Sequence, residues 1–199
     1  MSEPTAYKTY KYKLQPTPEQ KAVLAHTVQV CRELYNSALQ ERRDAWKMGH
    51  VSVNYYQQKA QLPAIRSLRD DCAAIYSQVL QDVILRVDRA FKAFFRRVAN
   101  GEKPGYPRFR GGNRYHSFTY PQWGKGTGLE GETLVLSYIG RLAVRWSRPL
   151  EGTPKTVTIS HEADGWYVCI ACENVPTQSM PLTGQEAGID LGLESFATL

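Results

Sequence analysis

The hydrophobic period of this sequence changes at Asn100, and the change divides the chain into two kinds of structure. Between residues 17 and 98, apolar side chains recur every three or four positions, which is the spacing of a helix face. From residue 115 onward, apolar and polar residues alternate in short runs, as they do in β-strands. The segment between them is rich in Gly and Pro and cannot continue a helix. The sequence pattern therefore predicts an α+β fold.

A lysine-bearing strand is predicted ahead of the helices. Tyr7–Leu14 reads YKTYKYKL and alternates Tyr or Leu with Lys, which indicates an amphipathic strand. The helical segment offers this strand no partner. We therefore expect it to join the later strands, which makes the helices an insertion between the first strand and the rest.

Three helices are predicted in the insertion. Thr17 as N-cap, Pro18 and Gln20 begin the first helix, and Gly49 ends it. A shorter helix follows Ser52, and Pro63 is expected to start a fresh turn after it. The apolar stripe of the first helix is Leu24, Val28, Cys31, Tyr35 and Leu39.

A long third helix is predicted over residues 77–98. Five basic residues are expected on its flanks and outer face: Arg86, Arg89, Lys92, Arg96 and Arg97. Six apolar residues form its predicted buried stripe, and we accordingly interpret its phenylalanines as core rather than as base-stacking platforms. The stripe is Leu80, Ile84, Val87, Phe91, Phe94 and Val98.

Short strands at regular spacing predict a small antiparallel β-barrel or sandwich in the second half. Residues 175–185 have the composition of a linker, and a new strand with a turn follows in residues 186–199. The predicted strands are Ser117–Tyr120, Thr133–Leu136, Leu142–Val144, Thr156–Ser160 and Trp166–Glu173.

Basic charge is concentrated between residues 86 and 114. This block holds nine Lys and Arg residues against two acidic ones, whereas residues 156–199 hold six acidic residues and no basic one. Such a segment attracts polyanions, because each neutralised phosphate releases a counterion. The alternative is a solvated helix face followed by a charged loop. Aromatic rings such as Tyr106 and Phe109 interleave with the charges, which favours nucleic-acid binding.

Composition argues against a membrane-spanning, disordered or disulfide-stabilised protein. Apolar residues make up 42% of the 199 residues, enough for a folded core. The apolar runs fall far short of the roughly 20 residues that a membrane helix needs, and the polar N-terminus has no secretory signal. Four cysteines fit a reducing compartment. We therefore expect a cytoplasmic protein without membrane contact.

The cysteines do not predict a zinc site in this portion. Cys169 and Cys172 form a C-x-x-C pair inside a strand, where residues three apart point to opposite faces. A tetrahedral site needs a second ligand pair, which His161 does not supply. We interpret these cysteines and Cys31 as buried structural residues. The segment Gly188–Gly192 instead places a carboxylate, Asp190, among apolar residues, where it could bind a divalent metal.

Taken together, five segments resemble the N-terminal half of the OrfB/TnpB proteins, which bacterial insertion sequences encode and which are relatives of the compact type V CRISPR nucleases. The resemblance covers nearly all of the chain. The segments are YKYKLQPTPEQ, CRELYNSAL, SQVLQDVILRVDRAFKAFFRRV, KPGYPRFRG and AGIDLGLESFATL.

The resemblance implies an RNA-guided DNA endonuclease from a transposon, acting in the prokaryotic cytoplasm. It implies a wedge β-barrel, an inserted helical recognition domain and a RuvC-type (RNase H-like) nuclease domain. The corresponding ranges are 1–15 for the first wedge strand, 16–100 for the recognition domain, 101–175 for the remaining wedge, 176–186 for a linker and 187–199 for the start of the nuclease domain.

The resemblance also implies the functional residues. Asp190 would be the first catalytic carboxylate and would bind Mg²⁺ for two-metal phosphodiester cleavage. Two further sets would contact guide RNA and a short motif in the target double-stranded DNA. The RNA-binding set is Lys8, Lys11, Lys13, Arg96, Arg97, Lys103, Arg108 and Arg110. The DNA-binding set is Tyr55, Lys59, Ser77, Gln81 and Thr119.

The later nuclease carboxylates and the zinc-binding cysteines of the family would lie beyond Leu199. We therefore expect the 199-residue chain alone to be inactive, as a truncated, split or degenerate version whose nuclease domain a C-terminal half or a separate chain would complete. Two alternatives stay open. The chain could be an inactive RNA- and DNA-binding fragment that acts as a repressor or assembly partner, or a transposase-like enzyme that uses no guide.

Overall fold

The computed structural model describes residues 5–177. They form a nearly closed barrel of seven antiparallel strands with a group of helices beside it. The strands are β1 Thr5–Leu14, β2 Ser117–Tyr120, β3 Thr127–Glu130, β4 Thr133–Leu136, β5 Gly140–Arg145, β6 Thr153–Glu162 and β7 Gly165–Pro176. The helices are α1 Pro18–Gly49, α2 Tyr55–Leu68, α3 Asp70–Ala73 and α4 Ser77–Ala99, with a 3₁₀ turn at Gly112–Arg114.

The first strand pairs with the second half of the chain, as predicted. The sheet order is β2-β6-β7-β1-β5-β4-β3, so β1 lies between β7 and β5. Tyr10 is opposite Ile170 in β7, and Leu14 is opposite Val144 in β5. Tyr10, Tyr12 and Leu14 are buried, because alternate strand residues face the barrel interior. The helices occupy the chain between β1 and β2.

Helix α1 begins as its sequence predicts. The Thr17 hydroxyl accepts a hydrogen bond from the Gln20 amide, and the Gln20 side chain accepts one from the Thr17 amide. This capping box satisfies two donors that the first helical turn would otherwise leave unpaired. Leu24 and Cys31 are fully buried. The burial of Cys31 agrees with the prediction of a buried cysteine, and it raises the pKa of the thiol to about 12.

The apolar stripe of α4 is buried only in its first four turns. Leu80 and Val87 are fully buried and Phe91 is nearly so, but Phe94 is half-buried and Val98 is 49% exposed. Phe95, for which the sequence predicts a core position, is 61% exposed. The prediction that these three side chains are buried was wrong. Other described residues cover the first four turns of α4, and its last turns extend beyond them.

Two local predictions were also wrong. Pro63 does not begin a new turn but lies inside α2; Leu62 and Ile65 on either side pack against the core, and this packing keeps the helix continuous. The strand β3 was missed, because its sequence TGLE is short, contains Gly128 and follows a run of glycines. It pairs in register with β4.

Arg86 does not lie on the outer face of α4. Its guanidinium donates to the Asp82 carboxylate at 2.7 Å, to the Ser117 carbonyl at 2.8 Å and to the Thr119 hydroxyl at 2.7 Å. These bonds join α4 to the barrel strand β2. A guanidinium that is largely withdrawn from solvent needs such partners, since desolvation penalises an unpaired charge.

The last strand extends further than predicted, into the segment predicted as a linker. Val175 and Pro176 belong to β7, opposite Ala6 and Thr5, rather than to a linker. The remaining linker residues, the predicted nuclease strands of 187–199 and Asp190 lie outside the described residues. Within residues 5–177, no helix has the length and apolar character that crossing a bilayer requires.

Candidate nucleic-acid interface

The loop of residues 100–111 lies against α1 and is held there at its end. The Asn36 side chain donates a hydrogen bond to the Arg110 carbonyl at 3.0 Å and accepts one from the Arg110 amide at 2.8 Å. This reciprocal pair fixes both backbone groups of one loop residue. The Arg110 guanidinium then lies over the Tyr35 ring, 5.9 Å from its centre.

Aromatic contacts hold the middle of the same loop. The Arg43 guanidinium on α1 lies 5.8 Å from the ring centre of Tyr106 and 5.0 Å from that of Phe109. Tyr106 also packs edge-on against Phe91 and Phe94, at 5.7 and 5.3 Å. Each cation–π contact at such an exposed site contributes about 0.5–1 kcal/mol. The loop is therefore held on the helices although it contains no regular structure.

Four basic residues in or next to this loop carry uncompensated charge. Each is exposed, and none forms an ion pair with a carboxylate of residues 5–177. We call them the loop-side cations: Arg96, Lys103, Arg108 and Arg110. Arg97, also predicted to bind RNA, lies 3.9 Å from the Glu102 carboxylate. Uncompensated cations on an exposed surface are those that can release counterions from a bound polyanion.

A basic cleft continues this surface toward the barrel. Arg110 and Arg114 line it together with Tyr35, His116 and Ser117, and its volume is about 370 Å³. Arg86 forms its floor but is committed to Asp82 and β2. Arg110 and Arg114 are thus the cations of this cleft that remain available to a ligand.

Four basic residues of the barrel wall are arranged differently. Lys11 pairs with Glu162 at 2.7 Å, Lys13 with Asp164 at 3.0 Å, Lys155 with Glu173 at 2.5 Å, and Arg141 with Glu130. We call these four the wall cations. The hydrogen bond to Glu162 raises the pKa of Lys11, and that to Asp164 raises the pKa of Lys13. Lys11 and Lys13 were predicted to bind RNA, and both charges are compensated.

The third predicted lysine of β1 lies apart from the other two. Lys8 is exposed, and its ammonium is 4.8 Å from the ring centre of Tyr10. It has no carboxylate partner among residues 5–177. In this respect it resembles the loop-side cations.

The residues predicted to contact DNA form two groups. Tyr55 and Lys59 are neighbours on α2, with the ammonium 5.9 Å from the ring centre. Ser77 and Gln81 are half-buried and one turn apart at the start of α4. No hydrogen bond or ring contact within the described residues joins the two groups. The hydroxyl of Thr119 is engaged by Arg86 and by Thr158.

The described residues offer no metal site. In residues 5–177, no group of three His, Cys, Asp or Glu side chains is placed to hold an ion. Cys172 is buried and Cys169 half-buried, and both are free thiols.

Sequence reasoning missed Arg43, which contacts both loop aromatics. The signal was present, because Arg32, Asn36, Arg43 and Lys47 recur at helical spacing on α1 and form one polar stripe. Only the contacts of the loop with this stripe show that it faces the basic block.

Two kinds of comparison relate the chain to known proteins. Residues 1–50 match the helix-turn-helix domain family HTH_OrfB_IS605. A provisionally named RNA-guided DNA endonuclease from Streptomyces pristinaespiralis is 33% identical, with 96% of this chain and 48% of the relative covered. The provisionally named RNA-guided DNA endonuclease InsQ of Escherichia coli (strain K12) is 28% identical, with 96% and 46% covered.

The chain therefore spans about half the length of the curated relatives it matches. The resemblance to the N-terminal half of the OrfB/TnpB proteins, predicted from five sequence segments, is confirmed.

Proposed function

We propose, from the relationship of this chain to the OrfB/TnpB proteins, that it is the RNA- and DNA-binding half of an RNA-guided DNA endonuclease. The observation that carries this proposal is the set of loop-side cations, which are exposed and unpaired on a loop held against α1. The names of the two relatives support the same class of activity. The partners would be a guide RNA and a target DNA duplex.

The guide RNA would bind the loop through its phosphates. Arg96, Lys103, Arg108 and Arg110 are spread along one loop and the helix turn before it, a pattern that suits a backbone rather than a single anion. Tyr106 and Phe109 place π faces between the charges. Such a surface binds single-stranded or folded RNA better than a regular duplex, whose bases are already stacked.

The target-adjacent DNA motif would be read from α2 and the start of α4. Tyr55 and Lys59 provide one polar pair, and Ser77 and Gln81 provide another. We propose that these four residues contact the motif. Thr119 would act as a positioning residue through Arg86, since its hydroxyl is already engaged.

Cleavage would belong to a RuvC-like domain that begins after residue 186. In that domain Asp190 would be the first carboxylate, and Mg²⁺ bound there would supply the charge stabilisation for phosphodiester hydrolysis. We further propose that the 199-residue chain by itself binds nucleic acid without cutting it. A C-terminal half or a separate chain would complete the metal site.

The proposal is tested by the salt dependence of RNA binding. The variant Arg96→Gln, Lys103→Gln, Arg108→Gln and Arg110→Gln removes four uncompensated charges. We expect the slope of log K against log salt for single-stranded RNA to fall by up to about 2.8, since each contact contributes about 0.7. Filter binding or fluorescence anisotropy at several salt concentrations measures the slope.

The chain provides a matched control for this variant. Replacing the wall cations Lys11, Lys13, Arg141 and Lys155 by Gln changes the net charge by the same amount. We expect the slope to stay within about one unit of the wild type. Equal losses in the two variants would show that net charge alone attracts RNA, and the assignment of the loop would then be wrong.

Guided cleavage requires a separate experiment with the nuclease domain present. The chain joined to the C-terminal half of its Streptomyces relative is purified with its RNA and offered matched and mismatched duplexes in Mg²⁺. We expect cutting of the matched duplex and its loss in Asp190→Ala. Cutting that ignores the RNA sequence would contradict the guided function.

A further inference from the structure

An aromatic cleft opens between α1 and the end of α4, next to the basic loop. Its volume is about 330 Å³. Phe91 forms the floor, and Trp46 and Phe95 form parts of the wall that are 57% and 61% exposed. We call this the aromatic cleft; its other main lining residues are Val51, Phe94 and Tyr106.

Two rings of the cleft keep most of their surface exposed. Phe95 stacks on Phe91 with the ring centres 6.3 Å apart and meets Phe94 at 67°, and it is still 61% exposed. Trp46 contacts only the ring of His50 among the described aromatic residues. A contiguous patch of exposed aromatic surface is typical of an interaction site.

The charges around the cleft favour a nucleic-acid occupant. Tyr106 is shared by the cleft and by Arg43, whose guanidinium lies 5.8 Å from its ring centre. The polar residue deepest in the cleft, Arg42, is neutralised by Asp88. An anionic strand on the loop would thus have its bases within reach of the exposed rings of Trp46 and Phe95, and no acidic side chain is among the residues that line the cleft.

The size of the cleft limits the occupant further. It is at the small end of the range for sites that hold small molecules. A planar ring system of one or two rings suits it, whereas a helix or strand of another protein would need a longer groove. Ser52 lines the rim and offers a hydroxyl to the edge of a planar ligand.

We propose that the aromatic cleft binds one unpaired nucleobase of an RNA whose phosphates the loop-side cations hold. This inference rests on the proposed RNA-binding function. Stacking on aromatic side chains tolerates any base, because every base has a π face. The site would therefore select for single-stranded RNA and not for a particular sequence.

The test compares single-stranded RNA with a polyanion that has no bases. The 199-residue chain and its Trp46→Ala, Phe95→Ala variant are titrated with an oligouridylate of about twelve nucleotides and with heparin. We expect the variant to bind the RNA at least about fivefold more weakly, because each stacked base contributes substantially, and to bind heparin within twofold of the wild type, about the scatter of such titrations.

The controls separate stacking from folding. Both side chains are largely exposed, so the far-UV circular dichroism and the Tm should be unchanged. Leu68→Ala removes an apolar side chain on α2 that is 85% exposed and should leave RNA binding unchanged. Trp46→Phe with Phe95→Tyr keeps both π faces and should restore affinity.

A second readout uses only the wild-type chain. An RNA that carries 2-aminopurine should lose fluorescence when it is bound, and 5-iodouridine RNA should cross-link to Trp46, Phe95 or Tyr106 on irradiation. Cross-links confined to the barrel would overturn the proposal.

The remaining outcomes distinguish this inference from the proposed function. RNA affinity that is equal in the wild type and the double variant would overturn the cleft alone. A wild-type chain that binds no single-stranded RNA would overturn both. If the wild type self-associates in sedimentation experiments and the double variant does not, the cleft is a contact between copies of the chain. That result would overturn the nucleobase proposal.

Discussion

The four wall cations of the barrel and the four loop-side cations differ in whether a carboxylate compensates their charge. On the wall, Lys11, Lys13, Arg141 and Lys155 each meet a carboxylate. On the loop, Arg108 and Arg110 meet none among residues 5–177, and nearby Arg43 contacts rings instead. The number of basic residues therefore does not locate a polyanion site. What distinguishes the loop is a group of four neighbouring exposed cations that have no acidic partner among residues 5–177.

On the helical side, one compensated cation lies in the interior. Arg42 on α1 pairs with Asp88 on α4 at 3.3 Å and donates to Gln58 on α2 at 2.8 Å, and all three side chains are buried. This network links the three long helices. It holds in place the two helices on which the loop lies.

The largest effect is expected from breaking this buried network. Asp88→Ala leaves the Arg42 guanidinium buried without its carboxylate partner, which costs roughly 3–5 kcal/mol of unfolding free energy. Urea unfolding measures the loss. The double change Arg42→Met with Asp88→Leu should recover most of it, since it removes both charges. A loss below about 1 kcal/mol in Asp88→Ala would show that water reaches the site.

The next largest effect tests the junction of the helices with the barrel. Gly126 has φ +78°, and a Cβ there would lie 2.5 Å from the Tyr76 ring, which stacks on Tyr120. Gly126→Ala should therefore cost about 2–4 kcal/mol, as the sum of backbone strain and overpacking.

Gly124 is the matched control for this change. It has φ +76°, but a Cβ at this position would have nothing within 4 Å, so Gly124→Ala should cost only the strain of about 1–2 kcal/mol. Equal losses in the two variants, measured by thermal unfolding, would mean that the Tyr76 contact adds no stability.

The sequence predicts the elements of this fold better than their ends. The alternation of Tyr10 and Tyr12 with lysines identifies β1, and the box of Thr17 and Gln20 identifies the start of α1, because both signals are local. The exposure of Phe95 was not predicted, since it depends on whether a distant segment covers the end of α4.

The candidate site was predicted in part for the same reason. The basic block of 86–114 was found from composition, and its ion pairs are local: Arg86 with Asp82, Lys92 with Asp88 and Arg97 with Glu102. Whether the lysines of β1 are compensated depends instead on distant partners, since Lys11 and Glu162 are 151 positions apart and no local pattern pairs them. Arg86 was placed outside because its partners, Ser117 and Thr119, lie in another part of the chain.

A smaller effect is expected at Arg43, where charge and ring contact can be separated. Arg43→Ala and Arg43→Lys both lose the planar contact with Tyr106 and Phe109, worth about 1 kcal/mol. Trypsin should therefore cut after Arg108 about fivefold faster in both variants. The RNA salt slope should fall only in Arg43→Ala, because Lys retains the charge. Unchanged cleavage would show that Asn36 alone holds the loop.

The smallest effect is expected at Arg69, a compensated cation on the helical side. Arg69 pairs with Glu33 and Asp71 near the surface, and such pairs contribute below about 1 kcal/mol. Hydrogen bonds from Gln29 and Arg69 lower the pKa of Glu33, and that from Arg69 lowers the pKa of Asp71. The two ion pairs therefore stabilise the folded state at a pH above the ordinary carboxyl pKa. This stabilisation is lost as the pH falls through the lowered pKa values of Glu33 and Asp71.

Arg69→Ala should accordingly differ from the wild type in unfolding free energy at pH 7, and the difference should shrink as the pH approaches 3. RNA affinity should not change, although Arg69 belongs to the helical side. Arg69→Ala could instead lower RNA affinity as much as the removal of one loop-side cation does. That result would mean that a cation with an acidic partner still attracts RNA. The contrast between wall and loop would then reflect their positions on the molecule rather than the pairing of their charges.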